Sequence, residues 1–320
     1  MPTRRSALVG AGAMLALPAR AQAPWPEKPI RLLVGFPAGG PTDFAARVLQ
    51  DALQQVWGQP LVIENRPGAS QVIAAEAVAK SPPDGYTLLL CTSNLTTNPA
   101  VFARLPYDTL RDFTPIVIIY SSPTVLFVGE NSPYRDVRDV IAAAKQQPGM
   151  AAATSGVATS GHFATEMFMR AAGIELTHVP YRGAPPALQD VMTGRVPITF
   201  STLSGAIGLA REGKLKPIAI AAPRRTPSFP DVPTMAEQGV EIRDTSPWYS
   251  FVGPAGMPAA IVNRMAADVQ TLLKRPDIIN RIESSGGIVE GEGPVEFRAR
   301  IPREIAINTD VARAANIHIE

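Results

Sequence analysis

Two rhythms alternate along the chain. Short continuous apolar runs, bounded by Gly, Pro, Asn or Asp, predict buried strands. Longer stretches with apolar residues three or four apart predict amphipathic helices. The run Ile30-Arg31-Leu32-Leu33-Val34-Gly35-Phe36 predicts the first strand, and Pro37 to Thr42 a tight loop. From Asp43, the apolar Phe44, Val48, Ala52 and Val56 predict one helix that Gly58 stops. Leu61 to Glu64 predicts a strand, Ala69 to Lys80 a helix, and Tyr86 to Cys91 a strand. A polar loop is expected over 92–98, then a strand over Ile116 to Tyr120.

The same rhythm returns in the second stretch. Helices are predicted around Val137, Val140, Ile141 and Ala144, over His162 to Ala172, from Ala184 to Gly194, and over Ile207 to Glu212. Strands are predicted over Met150 to Thr154, Glu175 to Val179, Val196 to Phe200, Pro217 to Ala222 and Trp248 to Gly253. Small polar loops are expected at Ser155 to Gly161 and at Ser201 to Ser204. Pro258 to Leu273 predicts a long amphipathic helix, with more helix to the C-terminus. Strands alternating with helices imply largely parallel sheets flanked by helices, an α/β fold. Two such runs imply two domains, with the chain changing domain near Pro123 and returning near Pro247. The expected domains are residues 24–123 plus 247–320, and residues 124–246. The length of 320 residues agrees, at roughly 150 residues per domain.

The N-terminus follows a different logic. Arg4 and Arg5 precede an uncharged stretch rich in Ala, Leu, Val and Gly, which ends at Ala21-Gln22-Ala23. A basic start, a short apolar run and an A-x-A site predict a signal peptide over residues 1–23. The apolar run is too short to span a bilayer. The paired arginines leave both the twin-arginine and the general secretory routes open. The mature protein is therefore expected in the periplasm.

Charge changes meaning once this leader is set aside. The whole chain carries 30 basic and 28 acidic side chains, a formal +2. Three of the arginines lie in the leader, so the mature chain is near neutral. That opposes a nucleic-acid role, which needs basic residues massed on one face. A single cysteine, Cys91, excludes an intramolecular disulfide, and three histidines leave little for a metal centre. No metal or cofactor is expected.

In open α/β sheets, ligands bind beyond the carboxyl ends of strands. After the first strand comes Gly39-Gly40-Pro41-Thr42-Asp43 at a helix start. Free N–H groups and the helix dipole there favour an anion, although a plain N-cap by Thr42 or Asp43 explains the same residues. The loop matches neither the phosphate P-loop nor GxGxxG. The hydroxyl-rich loops 92–98, 155–161 and 201–204 also follow strands and could hydrogen-bond a carboxylate without fixed cations. Ser155 or Ser160 with His162 invites a hydrolase reading, but neither serine sits in G-x-S-x-G and no orienting acid is evident. His162 and Glu166 at i, i+4 could share a metal, or simply lie in a first turn and face solvent. Cys91, with apolar residues before it, reads as a buried thiol.

These residues, taken in order, resemble the periplasmic substrate-binding receptors of tripartite tricarboxylate transporters, the Bug receptors. The marks are Trp25-Pro26-Glu27-Lys28-Pro29-Ile30, Phe36 to Asp43, Glu64-Asn65-Arg66-Pro67-Gly68-Ala69, Pro83 to Leu88, His178 to Gly183, and Pro230 to Thr234. One departure is Ser70-Gln71, where the family usually carries a glycine pair. The resemblance covers essentially the whole mature chain. It implies a two-domain periplasmic-binding-protein fold of type II kind, with a ligand cleft between domains that close by a hinge.

It also implies that a ligand carboxylate is held by the loops matching Phe36 to Asp43 and Ser155 to His162. The expected ligand-binding residues are Phe36, Ala38, Gly39, Gly40, Thr42 and Asp43, then Ser93, Thr96, Ser155, Gly156, Ala158, Thr159, Ser160, His162 and Ser201. Asp43 is expected to accept backbone N–H groups or orient a water, because a carboxylate beside a carboxylate repels. The expected partners are a small carboxylate and membrane transporter subunits, with the receptor itself a monomer and not an enzyme. The rival readings are a sensor that presents its ligand to a signalling partner, and a secreted Ser/His hydrolase. Neutral loops would suit an uncharged or aromatic ligand tail; arginines from elsewhere could suit a second carboxylate.

Overall fold

The computed structural model describes residues 25–314 and 316–318; the expected signal peptide lies outside them. Among the described residues, eleven strands form two sheets. In the first, β1 (Ile30–Val34) lies between β2 (Leu61–Asn65) and β3 (Thr87–Thr92), parallel to both. Then come β4 (Phe113–Ser121) and, on the return, β10 (Trp248–Pro254) and β11 (Ile288–Glu292). The second sheet holds β5 (Thr124–Gly129), β6 (Met150–Thr154), β7 (Leu176–Pro180), β8 (Ile198–Thr202) and β9 (Leu215–Ile220). The strand orders are β11-β4-β10-β3-β1-β2 and β7-β6-β8-β5-β9.

Continuous apolar runs become strands here because both faces of each sheet are covered. Leu88 and Leu90 of β3 pack on one face, Leu89 and Cys91 on the other. Leu126 and Val128 of β5 divide from Val125 and Phe127 in the same way. Side chains that alternate at period two leave no polar face.

The sheets are mixed rather than largely parallel. β10 runs antiparallel to β3 and β4, β11 antiparallel to β4, and β5 antiparallel to β8 and β9. The cause is the route between sheets. β4 ends at Ser121 and β5 begins at Thr124, so no helix turns the chain back to make a parallel neighbour. The return segment runs alongside this crossing. Ser122 N–H donates to the Pro247 carbonyl at 3.1 Å, and the Thr124 hydroxyl to the Thr245 carbonyl at 3.0 Å.

Several local expectations change. The helix expected from Asp43 starts at Pro41 and is two helices, α1 (Pro41–Val48) and α2 (Gln50–Trp57), parted at Leu49. Proline at the first helical position explains the early start, since its fixed φ fits and its missing N–H costs nothing there. The stretch from Ala69 opens as a 3-10 turn, Ala69–Gln71, before α3 (Val72–Ala79). The polar loop expected over 92–98 is mostly helix, α4 (Asn94–Val101). Its poor helix formers are held by tertiary bonds: Thr96 Oγ1 to Glu304 at 2.9 Å, and Asn98 Nδ2 to the Ser70 carbonyl at 3.0 Å. After α5 (Val137–Gln146), α6 (Ser160–Ala172) takes the end of the expected 155–161 loop. Following α7 (Ala184–Met192), the expected 201–204 loop is the end of β8 and the start of α8 (Leu203–Arg211). The C-terminal part holds α9 (Ala259–Leu272), α10 (Pro276–Ser284) and α11 (Pro294–Ala314), with β11 between the last two. Among the described residues, no helix is long and apolar enough to cross a membrane.

Candidate ligand site

Strand ends of both sheets and helix starts meet in one cavity, with about 470 Å3 of empty space including its mouth. Phe36, Pro37, Gly40, Pro41 and Thr42 line it from the β1–α1 loop, Thr92 and Asn94 from the end of β3. The second sheet contributes Ser155, Thr159 and Ser160 after β6, Gly183, Ala184 and Pro185 after β7, and Thr202 at the end of β8. Pro247 and Tyr249 close it from the return strand. Lys, Arg, His, Asp and Glu are missing from this lining.

Five helices begin at its wall, and their first-turn N–H groups lack intrahelical partners. Some of these donors are spoken for. Asn94 N–H donates to Thr92 Oγ1 at 3.2 Å, Leu203 N–H to the Pro123 carbonyl at 2.8 Å, and Ser204 N–H to Ser122 Oγ at 3.0 Å. The first turn of α6 is capped by Thr159, whose hydroxyl accepts from His162 N–H. Those that stay open include, among the described residues, the N–H groups of Thr42 and Asp43 on α1, Ser160 and Gly161 on α6, and Ala184 on α7. Pro41 and Pro185 fill the adjacent first-turn positions with apolar rings that offer no donor. Three positive helix ends thus face a cavity with no fixed cation, which suits an anion.

Gly161 shows why α6 comes so close. A Cβ there would overlap the Phe200 carbonyl oxygen, so only glycine lets the helix start press onto β8.

The predicted residues separate into wall and support. Phe36, Gly40, Thr42, Ser155, Thr159 and Ser160 line the cavity. Asp43 is turned away from it. Its carboxylate accepts from Gly39 N–H at 3.1 Å, Arg47 Nε at 2.9 Å and Asn65 Nδ2 at 3.1 Å. Burial alone would raise its pKa, but the donors of Arg47, Gly39 and Asn65 outweigh that and hold it below the usual range. Ala38 and Gly39 complete the loop that this carboxylate pins. Gly156 accepts the Thr159 hydroxyl at 2.7 Å, and Ala158 N–H donates to His162 Nδ1 at 3.2 Å. Thr96 is tied to the Ser93 carbonyl, Ser93 opens onto a neighbouring cavity, and Ser201 is buried opposite Val125 in the sheet.

Sequence reasoning missed Gly183 to Pro185, although they follow a strand and would have met the strand-end rule. It also missed Tyr249, which lies inside a strand and stacks on Tyr120 with ring centroids 4.6 Å apart. Burial raises the phenol pKa of Tyr249, against hydrogen bonding with Ser204 and Thr202.

The groups with other chemistry are occupied. His162 Nε2 lies 3.5 Å from Glu166 Oε1, and its other nitrogen takes the Ala158 N–H, so neither is presented to a serine. His178 stacks on His162 and contacts Thr154 Oγ1 at 2.6 Å. Burial, reinforced by His162, pushes the His178 pKa down to about 3. Cys91 is buried against Ser250, and burial pushes its thiol up to about 12. Among the described residues, no three His, Cys, Asp or Glu side chains are grouped to hold a metal.

Comparison with known proteins bears on this arrangement. Residues 45–290 match the family model described as the tripartite tricarboxylate transporter family receptor. Protein BugT of Bordetella pertussis is 34% identical over 309 residues, covering 95% of this chain and 94% of that protein. The structure of R. palustris Rpa4515 with adipate superposes with a TM-score of 0.89 at 35% identity, over 92% of this chain and 100% of that one. MatC (Rpa3494) from Rhodopseudomonas palustris, with bound malate, gives 0.84 at 30% identity, over 90% and 99% of the two chains.

Proposed function

The chain belongs to the tripartite tricarboxylate transporter receptor family, and from that premise we propose a periplasmic receptor that captures a small organic carboxylate. It delivers that ligand to the membrane subunits of a tripartite transporter and works as a monomer. One observation carries the reading: open N–H groups of α1, α6 and α7 converge on a cavity lined by no charged side chain. Such a neutral, donor-rich cradle can hold a carboxylate without an ion pair. Relatives solved with adipate and with malate support it.

In this reading, residues 24–123 with 247–320 form one domain and 124–246 the other. The paired crossings at Ser122–Pro123 and Thr245–Pro247 act as the hinge. Phe36, Gly40, Thr42, Ser155, Thr159 and Ser160 touch the ligand, and Asp43 holds the loop that presents the first three. A thermal-shift screen of mono-, di- and aromatic carboxylates tests the proposal. A ligand at about 100 times its Kd adds about 2.7 kcal/mol. On a chain of this size that moves Tm by roughly 2–4 °C. No shift from any carboxylate would contradict it.

A further inference from the structure

One side chain behind the cavity wall does more than fill space. His162 lies in the first turn of α6, and Thr159 caps that helix, its hydroxyl accepting from His162 N–H at 3.4 Å. The ring returns a bond one residue earlier: His162 Nδ1 accepts from Ala158 N–H at 3.2 Å. This is a capping box displaced by one position, with an imidazole where Glu or Gln is usual. A ring nitrogen that accepts carries no proton, so the ring proton sits on Nε2, which points to Glu166 Oε1 at 3.5 Å.

The bond holds Ala158 in an unusual shape. Its φ is +58°, the left-handed region, which an alanine adopts only at a cost. So held, its carbonyl accepts from Asn94 Nδ2 at 3.2 Å and Thr97 Oγ1 at 2.7 Å, both on α4. Ala158 is buried, and the next two residues, Thr159 and Ser160, line the ligand cavity. One imidazole nitrogen thus fixes the point where the two units meet beside the ligand.

Few charges face the ring. α4 and strands β5, β6 and β8 carry no titratable side chain. β7 brings His178, stacked at 3.9 Å, and α6 itself brings Glu166. α11 and the return segment bring Arg300, Glu304, Arg243 and Asp244 to the Phe163 side of α6, where Arg300 and Glu304 pair at 2.6 Å. Burial keeps His178 neutral down to about pH 3, so its charge is constant above pH 6.

We propose that His162 is a positioning residue for ligand capture: its unprotonated Nδ1 holds Ala158 against α4 and so sets Thr159 and Ser160 on the ligand. A second proton on the ring turns Nδ1 into a donor that faces the Ala158 N–H, and the loop lets go. Imidazole is the side chain that ordinarily changes charge between pH 5 and 8, so ligand retention becomes sensitive to pH there. This rests on the carboxylate-receptor reading above and adds a control to its site.

Calorimetric titration of the mature chain with acetate, malate, adipate and benzoate at pH 8 and pH 6 tests it. The proteins are wild type, His162→Asn and His162→Leu. Asparagine places an amide oxygen where Nδ1 stood and does not titrate; leucine has no acceptor. The ligand's own protonation is common to all three proteins. Between pH 8 and pH 6, wild type is expected to lose at least fivefold more affinity than His162→Asn. At pH 8, His162→Asn should stay within threefold of wild type, and His162→Leu should bind at least fivefold more weakly than His162→Asn. Nitrogen-15 spectra of the histidine-labelled chain need no ligand: at pH 8 His162 is expected as the Nε2–H tautomer, and the Nδ1–H tautomer would overturn the inference. An affinity ratio between the two pH values that is the same in wild type and His162→Asn would also overturn it and leave the receptor reading standing. Failure of every carboxylate to bind wild type at either pH would overturn the receptor reading itself.

Discussion

The Ser70 hydroxyl donates to the Val157 carbonyl, joining the turn before α3 in the first unit to the loop after β6 in the second. Two neighbours reinforce the link: Asn94 Nδ2 and Thr97 Oγ1 donate to the Ala158 carbonyl at 3.2 and 2.7 Å. On the proposed hinge reading, these bonds, which hold the loop that presents Ser155, Thr159 and Ser160, favour the closed, ligand-holding arrangement. A neutral hydrogen bond contributes about 1 kcal/mol. Ser70→Ala is expected to lower carboxylate affinity by about fivefold, mostly as faster dissociation. Stopped-flow dissociation rates check this, and an unchanged rate would refute the latch.

Asp43 supports the site without facing it. Asp43→Asn removes the pairing with Arg47 and weakens the pinning of Gly39. The expected loss is about 1–2 kcal/mol of stability, together with weaker ligand binding. The folded carboxyl is held below its ordinary range, so its contribution is present above that range and is lost as pH falls through it. Thermal melts from pH 5 down to pH 2 should show a shallower decline in Asp43→Asn than in wild type. Unchanged affinity together with unchanged Tm would refute the role.

The His162–His178 stack makes a second pH prediction. Its rings lie 3.9 Å apart and 10° from parallel. His178 stays neutral when folded down to about pH 3, against an ordinary value of 6.5. Between those values the unfolded chain binds the extra proton, so this stabilisation is full above pH 6.5 and declines as pH falls towards 3. One proton corresponds to a slope of about 1.4 kcal/mol per pH unit. His178→Gln keeps a donor near Thr154 and removes the titration. Urea unfolding from pH 6.5 to pH 4 should therefore show a flatter dependence than wild type.

Gly35 and Gln71 are matched in size. A Cβ on Gly35 would lie 2.6 Å from the Cβ of Gln71, whose side chain is fully buried and whose Oε1 accepts from Thr92 N–H. Gly35→Ala is expected to destabilise by about 1–3 kcal/mol through overpacking. Gln71 also has a φ of +79°, which glycine adopts without strain. Adding Gln71→Gly should therefore recover part of the loss. Additive losses in the double mutant would show that the two positions do not compete for space.

Much of this architecture is legible along the chain, and the gaps have physical causes. Leu32 to Val34 and Leu88 to Cys91 announce themselves because strands buried on both faces must be continuously apolar. Val125 to Val128 is equally apolar. It falls outside the alternation of strand and helix because it follows β4 with no helix between. Ile288 to Glu292 has only two large apolar residues, and its strand character comes from pairing with β4. Thr96, Thr97 and Asn98 read as loop by propensity and are helical because Glu304, Ala158 and Ser70 bind their side chains. The strand-end rule points to the loops at Gly39 to Asp43 and Ser155 to Gly161, and both supply residues to the cavity wall. Tyr249 and Pro247 reach the cavity only through the packing of a return strand, which no local pattern encodes.

A crystal structure of the mature chain with its tightest-binding carboxylate tests the central claim most directly. The carboxylate oxygens are expected within hydrogen-bond distance of the N–H groups of Thr42, Ser160 or Ala184, directly or through one water. No lysine or arginine should touch that group. A ligand bound outside this cavity, or one whose only carboxylate is held by an ion pair, would contradict the account.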